Sequence, residues 1–335
     1  MKRLTRKALG LVLSLLMLLT ILPVNLYAQG ATETPDQAVT STLEYYKTVR
    51  NKNLTSYWDT LALYSAGEEL GDGTWILPVV DMEDDPAVFQ YAGAILNELA
   101  KGGYPESWIN DLADRQNGDG SFSNGTNDQI FAMLALDAVN GTYDRLSALS
   151  WLIDQQFDNG GFSWGEGVEP DVDMTGMALI ALGKYVTDDV AKEEKDLAQP
   201  SVEAAVDFLK AKQIPSGGFA GAWGNNANTD AAAVLGLVAA GEDVQSAEWT
   251  TGAEENPFTG LLKYRADDNG FGWEDNSVSN AMATAQVLLA LDDIAADQST
   301  FHKIFGQDRD TYIFFTGDTI TVEADNILLS VGQGI

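Results

Sequence analysis

Two carboxylates and a hydroxyl fall within five residues at Asp171-Val172-Asp173-Met174-Thr175, directly ahead of an Ala/Leu-rich stretch that reads as a helix. Short polar side chains at a helix start satisfy the free N–H groups of the first turn, and a carboxylate there also meets the positive end of the helix dipole. The same kind of residue precedes the other Ala/Leu stretches, at Asn127 and Asp128, Asn228 and Asp230, and Asn276 and Asn280. Just upstream stand Trp164, Trp223 and Trp273, whose flat faces suit packing within their own repeat or stacking on a guest. Metal chemistry has few donors: there is no cysteine and a single histidine, His302, so a zinc set has no ligands. NGDG at 117–120 and DDNG at 267–270 hint at calcium, but they lack the spaced acids and terminal Glu of an EF-hand and read as turns. Paired carboxylates of the glycoside-hydrolysing kind have no motif to single them out among 50 acidic residues. No metal and no cofactor are expected.

The first 28 residues carry Lys2, Arg3, Arg6 and Lys7, an uncharged apolar stretch from Ala8 to Leu22, then Pro23 and a small residue at Ala28. That order is a secretory signal. The run is interrupted at Pro23 and Asn25, short of the roughly 20 apolar residues a membrane anchor needs. Cleavage is expected near Gln29, leaving a secreted or cell-surface chain with no membrane span. With no cysteine, burial alone must stabilise it. Losing the leader's four basic residues moves the formal net charge from −31 to −35. So acidic a surface repels nucleic acid and anionic membranes.

The elements that must position these residues come in repeats. LADRQNGDGSF (112–122), LIDQQFDNGGF (152–162) and LKAKQIPSGGF (209–219) each place a Gln six residues before a Phe, as Gln116 and Phe122, Gln156 and Phe162, and Gln213 and Phe219. A fourth copy, LKYRADDNGF (262–271), has Ala266 for Gln and a turn one residue shorter before Phe271. Each turn leads into an Ala/Leu helix, at 130–138, 174–185, 231–241 and 281–293, and two more such helices lie upstream at 56–67 and 88–103. Helices this apolar on all sides are buried on more than one face. The charged segments between them, such as 143–156 and 201–213, suit an outer layer. Six inner helices with no polar-faced cap at either end favour closure over an open solenoid. The expected fold is all-α: an α/α toroid of about six hairpins over residues 35–299. Residues 312–331 alternate and are β-branched, so 300–335 reads as a β-rich segment with a turn at Gly317-Asp318, the start of an incomplete domain.

The pattern F/W-L-x3-Q-x3-G-G-F, at Trp151 to Phe162 and again at Phe208 to Phe219, resembles the QW repeat of the squalene cyclase and prenyltransferase α/α-toroid superfamily. The stretches SYWDTLALYSAG, GTNDQIFAMLALD and NAMATAQVLLAL look most like its bacterial secreted branch, whose toroid often precedes a β-domain similar to the C-terminal part of transcobalamin. The resemblance implies that Gln116, Gln156 and Gln213 are structural, each tying an outer helix end to the following turn. It also supplies chemistries to test. Protein prenyltransferases need Asp, Cys and His around zinc, and complement-like toroids need a thioester cysteine; both are excluded by composition. Triterpene cyclases protonate an alkene with the middle Asp of D-x-D-D-T, and here Asp173 takes that position while Met174 replaces the last acid.

Two functions follow. The first is a non-catalytic secreted binding module, holding a small apolar or amphipathic ligand, isoprenoid or corrinoid-like, in its cavity, or a surface polymer at its rim. The second is a terpene cyclase-like or carbohydrate-active enzyme with Asp173 as general acid. In either case the starts of the inner helices converge on one mouth, bringing Asn127, Asp128, Asp171, Asp173, Thr175, Asn228, Asp230, Asn276 and Asn280 around it with the three tryptophans beside them.

Overall fold

The computed structural model describes residues 33–79, 86–165 and 167–305, and the backbone of two strands, β1 (Phe314–Thr316) and β2 (Thr319–Thr321). The chain divides into two compact units, Met1–Thr34 and Pro35–Ile335. The leader read over residues 1–28 lies outside the described residues.

In the second unit the Ala/Leu stretches are helices α2 (Tyr57–Ser65), α3 (Val88–Ala100), α5 (Thr126–Asp137), α7 (Val172–Thr187), α9 (Ala227–Ala239) and α11 (Ala281–Ala296). They pack side by side in that order, and α11 returns to α2, so the ring is closed. Around it lie α1 (Pro35–Thr48) against α11, α4 (Glu106–Ala113) against α3 and α5, α6 (Arg145–Asp154) against α5, α8 (Lys192–Lys212) against α7, and α10 (Pro257–Leu262) against α9. A last short helix, α12 (Thr300–Phe305), follows α11. The protein is an all-α toroid.

Caps set the starts of the inner helices. Side chains of Asp171, Asn226 and Asn280 accept from the backbone N–H of Met174, Thr229 and Ala283 at 2.8, 2.9 and 3.0 Å. Ser56 and Asp59 form a reciprocal capping box at the start of α2. The mixed Ala/Leu composition then lets neighbours approach closely. Between α7 and α9 the backbones nearly touch: a Cβ on Gly176 would lie 2.3 Å from the Ala232 carbonyl, and one on Gly236 2.4 Å from the Gly176 carbonyl. Every residue from Met174 to Tyr185, from Thr229 to Ala239 and from Gln129 to Asp137 is buried. These helices are covered on all faces, including the one turned to the ring axis.

Hairpin is locked to hairpin through the repeat turn. The Gln116 amide donates to the carbonyls of Gly120 in its own turn and of Asp144, the cap of α6, while its oxygen accepts from the Asp144 N–H at 2.7 Å. Gln156 does the same to Gly160 and to Ser201 of α8, and Gln213 donates to Trp249. Turn glycines Gly120, Gly160 and Gly217 have φ near +90°, and a Cβ on each would strike the backbone of the next outer segment at Ser147, Ala204 or Asn256, 2.1–2.3 Å away. Only glycine meets both the left-handed backbone and the close approach. In the fourth repeat, which lacks the Gln, Gly270 packs on Tyr45 of α1, and Arg265 donates to the Ala38 carbonyl at 3.4 Å, joining the last turn to the first outer helix.

Between α2 and α3 the described residues 66–79 are non-helical; they bury Leu70 and Trp75 and pair Ile76 with Asn53. One local reading is corrected. The outer helix read from Ser201 starts at Lys192 and runs through Pro200. Its interior proline costs one backbone bond, and packing of Ser201, Ala205, Phe208 and Leu209 holds the helix together. Beyond the toroid, β1 and β2 pair antiparallel with Phe314 opposite Thr321, flanking Gly317 and Asp318.

Gly236→Val is expected to lower the melting temperature by many degrees, since overpacking at a backbone contact costs about 1–3 kcal/mol or more. Gly118→Ala, where a Cβ meets nothing within 4 Å, is the control; differential scanning calorimetry of both variants checks the difference.

Candidate functional site

The starts of the inner helices meet through their side chains. Thr229, near the start of α9, donates its hydroxyl to both carboxylate oxygens of Asp173 on α7, at 2.9 and 3.1 Å. Asn228 donates to Gln286 of α11 at 2.5 Å. Asp128 of α5 accepts from the Phe89 N–H of α3 at 3.0 Å and from Ser123 at 2.7 Å. These cross-helix bonds outline one mouth, with Asn127 half-buried in it and Phe89 and Met282 exposed. Burial raises the Asp173 carboxyl above the usual carboxylate range, against the opposing pull of the Thr229 hydrogen bond.

Not every residue read as rim reaches it. Helical residues two apart point about 200° apart, so while Asp173 and Asn228 face the mouth, Thr175 and Asp230 face their repeat turns. The Phe162 N–H donates to Thr175 and the Phe219 N–H to Asp230, at 2.9 and 2.8 Å. Gln129 and Thr284 hold Phe122 and Phe271 in the same way, at 2.9 and 2.8 Å. This inner-helix position is therefore a second half of the lock, unrecognised from sequence because Gln, Thr and Asp share only the ability to accept. Asp171 is 6% exposed and serves as the cap of α7; burial raises its carboxyl above the usual range, against the opposing pull of hydrogen bonds from the Met174 N–H and Trp164. Asn280 caps α11, and Asn276 is exposed in the loop before it. Trp164, Trp223 and Trp273 remain exposed, at 49%, 78% and 47%. The Trp273 carbonyl also accepts from the Ala227 N–H at 2.8 Å, fastening the fourth turn to the start of α9.

The opposite ends of the inner helices carry a polar cluster with no sequence signature. Asp137, at the end of α5 and 2% exposed, accepts from the Tyr143 and Tyr185 hydroxyls, each at 2.8 Å, and from Arg145 at 3.0 Å. Lys184 lies 4.0 Å from it, and burial lowers that amine below its ordinary value. Burial and then the charge of Asp137 push both phenols up. His302, read from sequence as lying beyond the toroid, belongs to this cluster: α12 folds back and places Nδ1 3.4 Å from Asp188, in a buried setting that lowers the imidazole pKa. A cleft of about 600 Å3 opens beside Lys184, Asp188 and His302. These groups are 165 residues apart in the chain from Asp137 to His302, so no local motif could have joined them.

Comparison with known proteins places the fold. The profile of the prenyltransferase alpha-alpha toroid domain matches residues 91–241 and 129–300. The chain belongs to that family. A solved structure of a type II terpene cyclase from Scytonema superposes with a TM-score of 0.52 at 13% identity, covering 78% of this chain and 97% of the cyclase. Lower similarity is found to ent-copalyl diphosphate synthase from Streptomyces platensis (TM-score 0.47, 16% identity, 71% of this chain) and to Candida albicans protein geranylgeranyltransferase-I complexed with GGPP (0.49, 15%, 82% of this chain and 87% of that one). The toroid spans 50% of the synthase's length. Among curated proteins none matches by sequence. At these identities the likeness is one of fold. No helix of the described residues is long and apolar enough to cross a membrane.

Asp230 makes the lock pH-dependent. Burial raises its carboxyl from 3.8 to about 7, so the folded state holds a proton that the unfolded state releases. Its stabilisation is present below pH 3.8 and is lost as pH rises to about 7. Asp230→Asn keeps the acceptor for Phe219 without the charge. It is expected to raise the melting temperature by several degrees at pH 8 and to change it little at pH 4, measured by thermal unfolding across that range.

Proposed function

We propose that this toroid is a non-catalytic, exported binding module that holds its ligand at the mouth formed by the starts of the inner helices. The observation that carries this reading is the all-round burial of α5, α7 and α9. A drug-sized or isoprenoid guest needs a pocket of roughly 300–1,000 Å3 that buries most of its surface, and these helices leave no such depth along the ring axis. The polar groups are gathered at the entrance instead.

The cyclase-like alternative is weaker on the same geometry. Asp173 has the half-buried position and raised pKa of an acid, yet both of its oxygens accept from Thr229, which favours the carboxylate. The acid that would tune it is replaced by Met174, and Asp171 is spent as a cap. A general acid also needs a substrate beside it, and the packed axis offers none.

A shallow mouth edged by Asp128, Asp173, Asn228 and Gln286 and flanked by exposed indoles fits a broad, flat, amide-edged ligand of the corrinoid kind better than a slender isoprenoid chain. Mixed donors and acceptors at the rim match peripheral amides, and the indoles supply apolar faces. Titration with dicyanocobinamide, followed by its visible absorption, is expected to show saturable binding that Asp173→Ala weakens at least tenfold. The outer-helix control Asp207→Asn should bind as the parent does. Saturable uptake of farnesyl diphosphate or squalene with formation of cyclised product would instead establish the enzyme reading.

A further inference from the structure

An open cleft of about 900 Å3 lies along the second repeat turn, between it and the start of α5 and beside the loop that carries Trp164, with Asn124, Thr126, Ser163 and Gly165 in its lining. Its walls carry two aromatic rings, Trp151 at the end of α6 and Phe157 in the turn, with the carboxylates of Asp154 and Asp158 and the amides of Asn124 and Asn159. Phe157 follows the lock residue Gln156, a position taken by Asn117, Ile214 and Asp267 in the other copies. The turn therefore does not require an aromatic there, and the ring stands 40% exposed. The side chains of Asp154, Asp158 and Asn124 are exposed and make no hydrogen bond among the described residues, and Asn159 uses its oxygen to accept from the Gly161 N–H. No Lys, Arg or His lines the cleft among the described residues.

We propose that this cleft binds a neutral oligosaccharide segment of a surface polysaccharide. A pyranose ring presents an apolar C–H face that stacks on a flat side chain and a rim of hydroxyls that both donate and accept. Free carboxylates and amides around aromatic faces complement that pattern. The absence of a cation argues against phosphorylated, sulfated or uronic chains, which would meet uncompensated carboxylates. A cationic peptide would have to rely on exposed acids that salt screens, and it would have no use for the planar rings and amides. The variants that test this assignment, at Phe157, Asp154 and Asp158, alter none of the residues that edge the mouth, so its failure and that of the corrinoid reading are distinguishable.

The test is isothermal titration calorimetry of the full chain with cellohexaose, xylohexaose and chitohexaose, with melting temperatures recorded alongside. Binding of at least one hexasaccharide is expected, unchanged between 0.05 and 0.5 M NaCl. Phe157→Ile, which keeps an apolar residue of the kind at Ile214 but removes the ring, should weaken it at least tenfold without lowering the melting temperature. The double variant Asp154→Ala/Asp158→Ala should do likewise, and Trp223→Ala, at the mouth, should leave it intact. No heat with any of the three sugars at millimolar concentration overturns the proposal, as does binding that Phe157→Ile leaves unchanged. Salt-sensitive binding of a lysine-rich peptide, with none of the sugars, would assign the cleft to a cationic partner instead.

Discussion

The toroid depends on the backbone contact between each repeat turn and the next outer segment. Gly120 on Ser147, Gly160 on Ala204 and Gly217 on Asn256 bring main chain against main chain, and the glutamine amide bridges the same two segments. One such hydrogen bond has a net worth of only about 0.5–1.5 kcal/mol. Its effect is geometric: a fixed step from one hairpin to the next, repeated until the last turn lands on α1. The fourth turn has neither the glutamine nor the glycine at the equivalent position, where Asn269 takes the left-handed backbone, and is fastened instead by Gly270 against the Tyr45 ring and by Arg265 on the Ala38 carbonyl.

That step dictates how the centre is filled. When outer segments are held tight, the inner helices must converge, and Ala and Gly at their interfaces let α7 and α9 meet at backbone distance. Few polar groups can be accommodated inside such a ring. At the two ends polar groups meet across elements: Asp173 with Thr229 at the starts, Asp137 with Tyr143, Tyr185 and Arg145 at the finishes. The small and aliphatic residues along α5, α7 and α9 are buried on all sides, and membership of the family fixes architecture and leaves activity to be argued from the site.

The two ends differ in character. At the starts, helix dipoles and caps favour acceptors, and exposed aromatic residues gather in the loops. At the finishes, Lys184, Arg145 and His302 lie where helix carbonyls favour cations, knitted to Asp137, Asp188 and Glu194. There α12 is fastened by His302 and by the hydrogen bonds of Thr300 to Asp293 and Ser65, beside the cleft at Lys184, Asp188 and His302.

The sequence by itself determined the repeat, the six inner helices and the closure of the ring, because each is written in local patterns: Gln-to-Phe spacing, Ala/Leu runs and polar caps. It also placed Asp173, Asn127, Asp128 and Asn228 at one mouth, since inner helices joined by returning segments must run the same way. It could not separate Asp173 from Thr175, or Asn228 from Asp230, because which face of a helix meets the turn and which meets the axis is set by packing against neighbours. Nor could it find Gln286, the Asp137 cluster or the place of His302, whose members are distant in the chain and joined only when the ring closes. Whether the centre is hollow or filled was likewise decided by tertiary structure alone: an Ala/Leu helix serves equally to line a cavity or to pack a core, and the distance between backbones, set here by the glycine contacts, selects the core.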